Sequence, residues 1–209
     1  EGGGNETTRT ITPGGRVRDG RTGNDIEIYR ATAAGVTGAK IRHGCANAIG
    51  GQSATIKLKY RKTANEQLFP GAPRGIKFAL GENPKQSNGR APGRVLRYPS
   101  TRLGVEAVIR RAFDEAKDWL AHQKDDLDRF ANGEMVPPRR RDVRLETIAG
   151  ILSGDVAIHS HCYRADEILM LLETAESYGI RVRTLQHVLE GYKVAPEIAR
   201  HGAGAWGGR

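Results

Sequence analysis

The sequence lacks long apolar runs, cysteine motifs and a leader-like N-terminus. No stretch of about 18 or more apolar residues occurs in the 209 residues, so no membrane-spanning helix is predicted. The two cysteines, Cys45 and Cys162, form neither a CxxC motif nor zinc-finger spacing, which excludes a disulfide framework. The N-terminal EGGGNETTRT has no basic segment followed by an apolar one and no initiator Met. We therefore expect no signal peptide, and either a processed chain or an internal piece of a longer one.

Aromatic residues are scarce at 6%, which weakens a nucleic-acid interpretation of the basic composition. Lys and Arg number 33 against 24 Asp and Glu, giving a formal net charge of +9. The basic residues are scattered, and the cluster RRRDVR at 139–144 has no interleaved aromatic rings that could stack on bases. We therefore expect neither a nucleic acid nor a membrane as partner.

Strand and helix patterns alternate along most of the chain, which predicts an α/β fold with parallel strands. Residues 1–24 are predicted to be an irregular loop, and residues 25–205 a single domain. Strands are predicted over 36–44, 54–60, 76–80, 155–160 and 180–186, and helices over 25–35, 101–123, 144–154, 165–178 and 193–200. The Gly-rich stretch 46–53 and the polar stretch 81–93 are predicted as loops, 124–142 as a charged linker and 201–209 as a frayed tail.

Histidines stand where two predicted strands end. His159 and His161 end one strand and His187 ends the next. Catalytic and ligand-binding residues of parallel α/β folds concentrate at the carboxyl ends of the strands. Neutral imidazole is a common metal ligand. His159 and His161 point to the same side of an ideal strand, so either is a possible ligand and the other a supporting group. The alternative for each is a hydrogen-bonded structural residue.

Lys77 is the third candidate, because a lysine inside the apolar strand GIKFAL is costly unless it is paired or modified. A carbamylated lysine would provide anionic oxygen ligands between two metal ions. The alternative is an edge-strand lysine whose ammonium reaches solvent.

With these residues in place, the chain resembles the metal-dependent amidohydrolase superfamily. It is most similar to an imidazolonepropionase-like and prolidase-like branch of large bacterial amidohydrolases, which are often secreted or periplasmic. The resemblance runs through residues 8–205 and is carried by AAGVTGAKIRHGCANAIGGQSATIKLKY, FPGAPRGIKFALGENPKQSN, IHSHCYRADEILMLL and LQHVLEGYKVAPEIARHGAGA. The localisation of this chain stays open.

The resemblance implies a partial (β/α)8 TIM barrel, roughly strands 2 to 6, with a centre of one or two divalent ions, zinc being the expected metal. In this superfamily single histidines end strands 5 and 6. The strand-5 ligand carries over as His159, with His161 as its rival, and the strand-6 ligand as His187. Lys77 carries over as the bridging lysine of strand 4.

Two parts of the family pattern have no counterpart here. A His-x-His pair on strand 1 and the general-base aspartate on strand 8 are both missing, so no catalytic base is assigned. We therefore expect a fragment that is inactive alone and has the remainder of the barrel as its partner.

The implied reaction is hydrolysis of a C–N bond in an amide, either a cyclic amide or a small peptide-like substrate, by metal-activated water. Tyr163, Arg164 and Asn47 are candidate substrate contacts, although each has a structural alternative. The alternative function is a non-catalytic barrel remnant or a basic interaction module.

Overall fold

A computed structural model describes residues 4–85 and 97–207, so residues 86–93 of the predicted polar loop lie outside the described part. Six strands form one sheet whose spatial order equals the chain order, and the sheet curls into a half-barrel. The strands are β1 Gly38–Ile41, β2 Ile49–Lys57, β3 Gly75–Ala79, β4 Ala157–Cys162, β5 Val182–His187 and β6 Gly204–Trp206. The predicted partial barrel is therefore confirmed.

The helices are α1 Ile26–Ala33, α2 Ala64–Gln67, α3 Leu103–Ala131, α4 Val143–Leu152, α5 Ala165–Ser177 and α6 Ala195–His201, with 3₁₀ turns at Val17–Gly20 and Gly191–Val194. Residues of α3, α4, α5 and α6 form the apolar core with one face of the sheet. The N-terminal segment runs beside β2, because Ile11 bridges Ile49 and Arg16 bridges Gln52. In the described part of the chain, no helix is long and apolar enough to cross a membrane.

Only the second half of the sheet is parallel. Strands β3 to β6 pair in parallel, whereas β1 with β2 and β2 with β3 pair antiparallel. The prediction of parallel pairing throughout is therefore wrong for the first strands. For β1 and β2 the physical reason is the connection, because residues 42–48 are too few for the crossover that a parallel pair requires.

Three local predictions are also corrected. Strand β2 begins at Ile49, inside the predicted Gly-rich loop, and the predicted frayed tail contains β6. Helix α3 continues through the predicted charged linker to Ala131 and ends before Gly133, whose φ is +84°. Up to that glycine the linker consists of residues compatible with a helix, and its charged side chains lie in solvent.

The two faces of the parallel strands differ in chemistry because side chains alternate along a strand. Ile76, Phe78 and Ile158 face the helices, where the rings of Phe78 and Phe113 of α3 lie 6.2 Å apart. The opposite face, here called the inner face, carries polar residues aligned across the strands: Lys77, His159, His161, Thr184 and Gln186. The helices therefore cover the apolar side, and the candidate site lies on the other.

Candidate metal centre

His161 and His187 meet at the carboxyl edge of the parallel strands. Their ring centroids lie 4.7 Å apart at an interplanar angle of 66°, and the Tyr163 ring lies 4.3 Å from His161. His159 pairs in register with Thr184, three positions before His187, roughly 10 Å along the strand. The structure therefore brings His161 into contact with His187 and leaves His159 deeper on the inner face.

His187 reaches this position through an unusual backbone conformation. His187 and Val188 have φ values of +70° and +50°, in the left-handed region that a β-branched residue rarely adopts. The Val188 amide donates to the Cys162 carbonyl at 3.0 Å, which holds the turn. Strained residues of this kind concentrate at functional sites.

Hydrogen bonds determine which nitrogen of His161 carries its proton. The Asn83 amide nitrogen lies 2.6 Å from Nε2, and Cys45 Sγ lies 3.3 Å from Nδ1. Burial, followed by the charge of His187, lowers the pKa of His161 to about 4, so the ring is neutral at pH 7. Since an amide NH₂ only donates, Nε2 accepts and Nδ1–H is donated to Cys45. The Nε2 lone pair is the one available to a metal ion.

His159 is occupied by a different contact. Its Nε2 lies 2.7 Å from the Lys40 ammonium, which extends across the inner face from β1. Burial, followed by the charges of Lys40 and Arg42, lowers the pKa of His159 to about 3. Its Nδ1 is buried and has no hydrogen-bond partner among the described residues. His159 is therefore a neutral acceptor for a lysine.

Lys77 points into the inner face and is only 4% exposed, so the solvent-reaching alternative does not apply. Its ammonium donates to Gln186 Oε1 at 2.5 Å. Burial lowers the pKa of Lys77, and the nearby Cys45 works in the opposite direction. A lysine with a lowered pKa more readily presents the neutral amine that carbamylation needs.

The three candidate substrate contacts have different surroundings. Tyr163 packs against both site histidines, with its ring 5.6 Å from His187. Arg164 forms an exposed pair with Asp166 at 2.9 Å. Asn47 is fully buried, and its amide donates to the carbonyls of Glu6 and Arg9 and to Thr12 Oγ1. Tyr163 alone of the three therefore lies beside the histidine pair.

Sequence reasoning missed four residues of this region: Lys40, Cys45, Asn83 and Gln186. They reach the inner face from β1, from the segments after β1 and β3, and from β5. Side-chain alternation along β5 places Gln186 on the same face as Thr184 and could have identified it. The other three residues approach His159 and His161 from distant parts of the chain, which strand periodicity does not encode.

The donor set agrees in part with a metal ion. Two imidazoles in contact and a buried lysine provide suitable ligand chemistry. Within residues 4–85 and 97–207, however, no three His, Cys, Asp or Glu side chains converge on one point. The described residues therefore provide part of a ligand set.

Comparisons with known proteins agree with this architecture. No family model matches the chain. An amidohydrolase of Hapsidospora irregularis, tasK, is 30% identical over 217 residues, covering 98% of this chain and 21% of that protein. The crystal structure of an amidohydrolase from Thermotoga maritima MSB8 matches with a TM-score of 0.84 and 32% identity, covering 98% of this chain and 50% of the other. The predicted relationship is therefore confirmed: the chain is related to the amidohydrolases and spans about half of one relative and a fifth of the other.

Proposed function

We propose that this chain forms part of the active site of a hydrolase that cleaves the C–N bond of amides, either cyclic amides or small peptide-like substrates. The observation that carries the proposal is the contact of His161 with His187 at the carboxyl edge of the strands. The amidohydrolase relatives supply the reaction class. The remainder of a barrel is the proposed partner, since the chain spans only part of each relative.

His161 and His187 are the proposed ligands of a divalent ion, zinc being the first candidate. When bound, such an ion lowers the pKa of water and polarises the amide carbonyl. His161 presents the Nε2 lone pair because Cys45 accepts its other ring proton. The Asn83 amide, which donates to His161 Nε2 in the structure, would be displaced by the ion. His159 is proposed as a supporting residue, since Lys40 occupies its Nε2.

Lys77 is proposed to bridge as its carbamate. Its burial and lowered pKa favour reaction of the neutral amine with carbon dioxide. Tyr163 is proposed as the substrate contact, because its ring borders the histidine pair. Arg164 and Asn47 have partners of their own, which favours their structural interpretation.

Metal retention and amide hydrolysis test the proposal together. We expect the protein carrying this sequence to retain zinc after dialysis, and His161→Asn and His187→Asn to reduce zinc affinity at least tenfold, by loss of an imidazole ligand. His122→Asn is the matched control, since His122 is exposed on α3. Hydrolysis of a panel of N-acyl amino acids and cyclic amides should fall in the same two variants.

Two outcomes would contradict the proposal in whole or in part. Zinc retention that is the same in all three variants, together with no hydrolysis, would favour the non-catalytic alternative. Loss of hydrolysis with unchanged zinc retention would keep the enzyme class and reject the assigned ligands.

A further inference from the structure

A cavity of about 630 Å³ opens at the amino-terminal edge of the parallel strands, opposite the edge that carries His161 and His187. Its walls include residues that lead into β4 and β5, such as Asp155 and Arg181. Neither His161 nor His187 lines it. The cavity therefore lies apart from the histidine pair and shares only His159 with the residues discussed for the candidate metal centre.

Cationic side chains dominate the lining. The cavity is lined by four cationic residues and one carboxylate: Lys40, Arg74, Arg181, Arg183 and Asp155. The Asp155 carboxylate already accepts a hydrogen bond from Ser153 Oγ at 2.8 Å. In the described part of the chain, none of the four cations lies within ion-pair distance of a carboxylate; the ion pairs form elsewhere, as between Arg111 and Glu115. Burial lowers the pKa of Lys40, and Arg42 and Arg183 lower it further.

The partial negative charges at nearby helix C-termini do not neutralise the positive charge of the cavity. Helices α4, α5 and α6 end close to the cavity, since the glycines that follow them, Gly154, Gly179 and Gly202, line it. A helix C-terminus carries roughly half a negative charge, so three of them offset about one and a half positive charges. Four cationic side chains and one carboxylate leave a formal excess of three positive charges in the cavity lining. An uncompensated positive charge therefore remains.

Lys40 and His159 form one wall of the cavity and present hydrogen-bond donors to it. His159 is 5% exposed and lines the cavity beside Lys40. Its Nε2 accepts one proton of the Lys40 ammonium, which holds that side chain in place and leaves two N–H groups for another acceptor. Its Nδ1 has no partner among the described residues. Donors thus outnumber acceptors on this wall.

We propose that this cavity binds a small oxyanion carrying two or more negative charges, held by Lys40 and by the guanidinium groups of Arg74, Arg181 and Arg183. Guanidinium groups match the planar, paired oxygens of phosphate and carboxylate. A phosphoryl compound and a polycarboxylate share this chemistry. The proposal is independent of the amide hydrolysis proposed for the opposite edge.

Calorimetric titration at constant ionic strength tests the site, with pyrophosphate and citrate as separate probes. We expect saturable one-site binding of at least one probe. Lys40→Met and Arg183→Met should each weaken it at least tenfold. Arg183 is exposed, so its removal leaves the packed core intact and keeps the test valid if Lys40→Met fails to fold. Stronger binding of pyrophosphate indicates a phosphoryl ligand, and stronger binding of citrate a polycarboxylate.

Two matched variants control for the general positive charge. Lys57→Met removes an exposed lysine from the same hairpin as Lys40, and Arg111→Met an exposed arginine from α3. Both should bind like the unaltered chain. Binding that is absent for both probes, or that weakens equally in the control variants, overturns the proposal, because diffuse attraction does not depend on cavity residues.

Discussion

At the scale of single residues, burial decides what a histidine does. His159 and His161 stand two residues apart on one strand, and both are at least 95% buried. One contacts a lysine and the other contacts His187, Asn83 and Cys45. Both rings are neutral at pH 7 because charging them inside the protein is unfavourable.

The neutral His159 predicts a pH-dependent stability. Its pKa is about 3 in the folded chain against 6.5 for an unperturbed histidine, so the unfolded state binds more protons. Its stabilising contribution is present above pH 6.5 and is lost as the pH falls towards 3. We expect His159→Gln to flatten the fall in unfolding free energy between pH 6.5 and 4, by on the order of 3 kcal/mol at most.

Urea denaturation of the metal-free chain at several pH values measures this effect. His122→Gln, at an exposed position, should leave the pH profile unchanged. A profile that is equally steep in His159→Gln and the unaltered chain would assign the pH dependence to other groups.

Cys45 provides a second prediction at this scale, and it rests on the proposed metal centre. Cys45→Ala removes the acceptor for Nδ1–H of His161, so the ring loses its preferred tautomer and orientation. We expect zinc affinity to fall about tenfold to hundredfold, the usual effect of losing a residue that orients a ligand. Cys45→Ser, which keeps an acceptor, should restore much of it; equal loss in both variants would point to packing instead.

At the scale of elements, helix α3 has a buried face along its first half and is exposed to solvent along its second half. Its first half buries Val105, Val108, Ile109, Ala112, Phe113 and Ala116 against the sheet. Its second half is exposed, with Leu127 at 68% and Phe130 at 71% exposure. No Gly or Pro interrupts the second half, so the helix continues to Ala131 although this half has no packing partner on the sheet.

The two halves should differ in their sensitivity to truncation. Phe113→Ala leaves a cavity beside the rings of Phe78 and Tyr178, and we expect it to lower the unfolding free energy by about 3–5 kcal/mol. Leu127→Ala, on the exposed half, should change it by less than about 0.5 kcal/mol. Guanidinium denaturation compares them, and similar losses in both would mean that the exposed half packs in solution.

At the scale of the whole molecule, the sheet is open at both sides. Strands β1 and β6 are the outer strands of the described sheet, and all three residues of β6 are exposed. An exposed strand edge offers unpaired backbone groups to a second chain. Trp206, 55% exposed on β6, adds apolar area to this edge.

We therefore expect the chain to associate with increasing concentration through β6. Trp206→Lys should reduce this association, because a charged residue on an edge strand opposes further pairing. Tyr192→Lys adds the same charge at a position that is 76% exposed and outside the sheet, and should have little effect. Sedimentation velocity measures both, and equal reductions would assign the effect to net charge rather than to the edge.

The sequence by itself determined the elements whose periodicity is strong. The short apolar run around Lys77 predicted a strand, and the three- and four-residue spacing of apolar residues in 101–123 predicted a helix; the structure contains both. The three- and four-residue spacing of apolar residues in α3 includes Leu120, which is 39% exposed, and misses Phe113, which is buried. Local patterns record which residues avoid water, but the partner surface decides where burial stops.

Tertiary structure alone decided the pairing of the histidines and the course of the first strands. Strand periodicity places His159 and His161 on one face, yet only the register of β4 with β5 and the left-handed turn at His187 bring His161 to its neighbour. Lys40 and Cys45 contact His159 and His161 because the curl of the sheet brings β1, and the segment after it, within reach of the side chains of β4. Contacts between residues more than a hundred positions apart depend on how the whole sheet curls, and no local spacing along the chain carries that information.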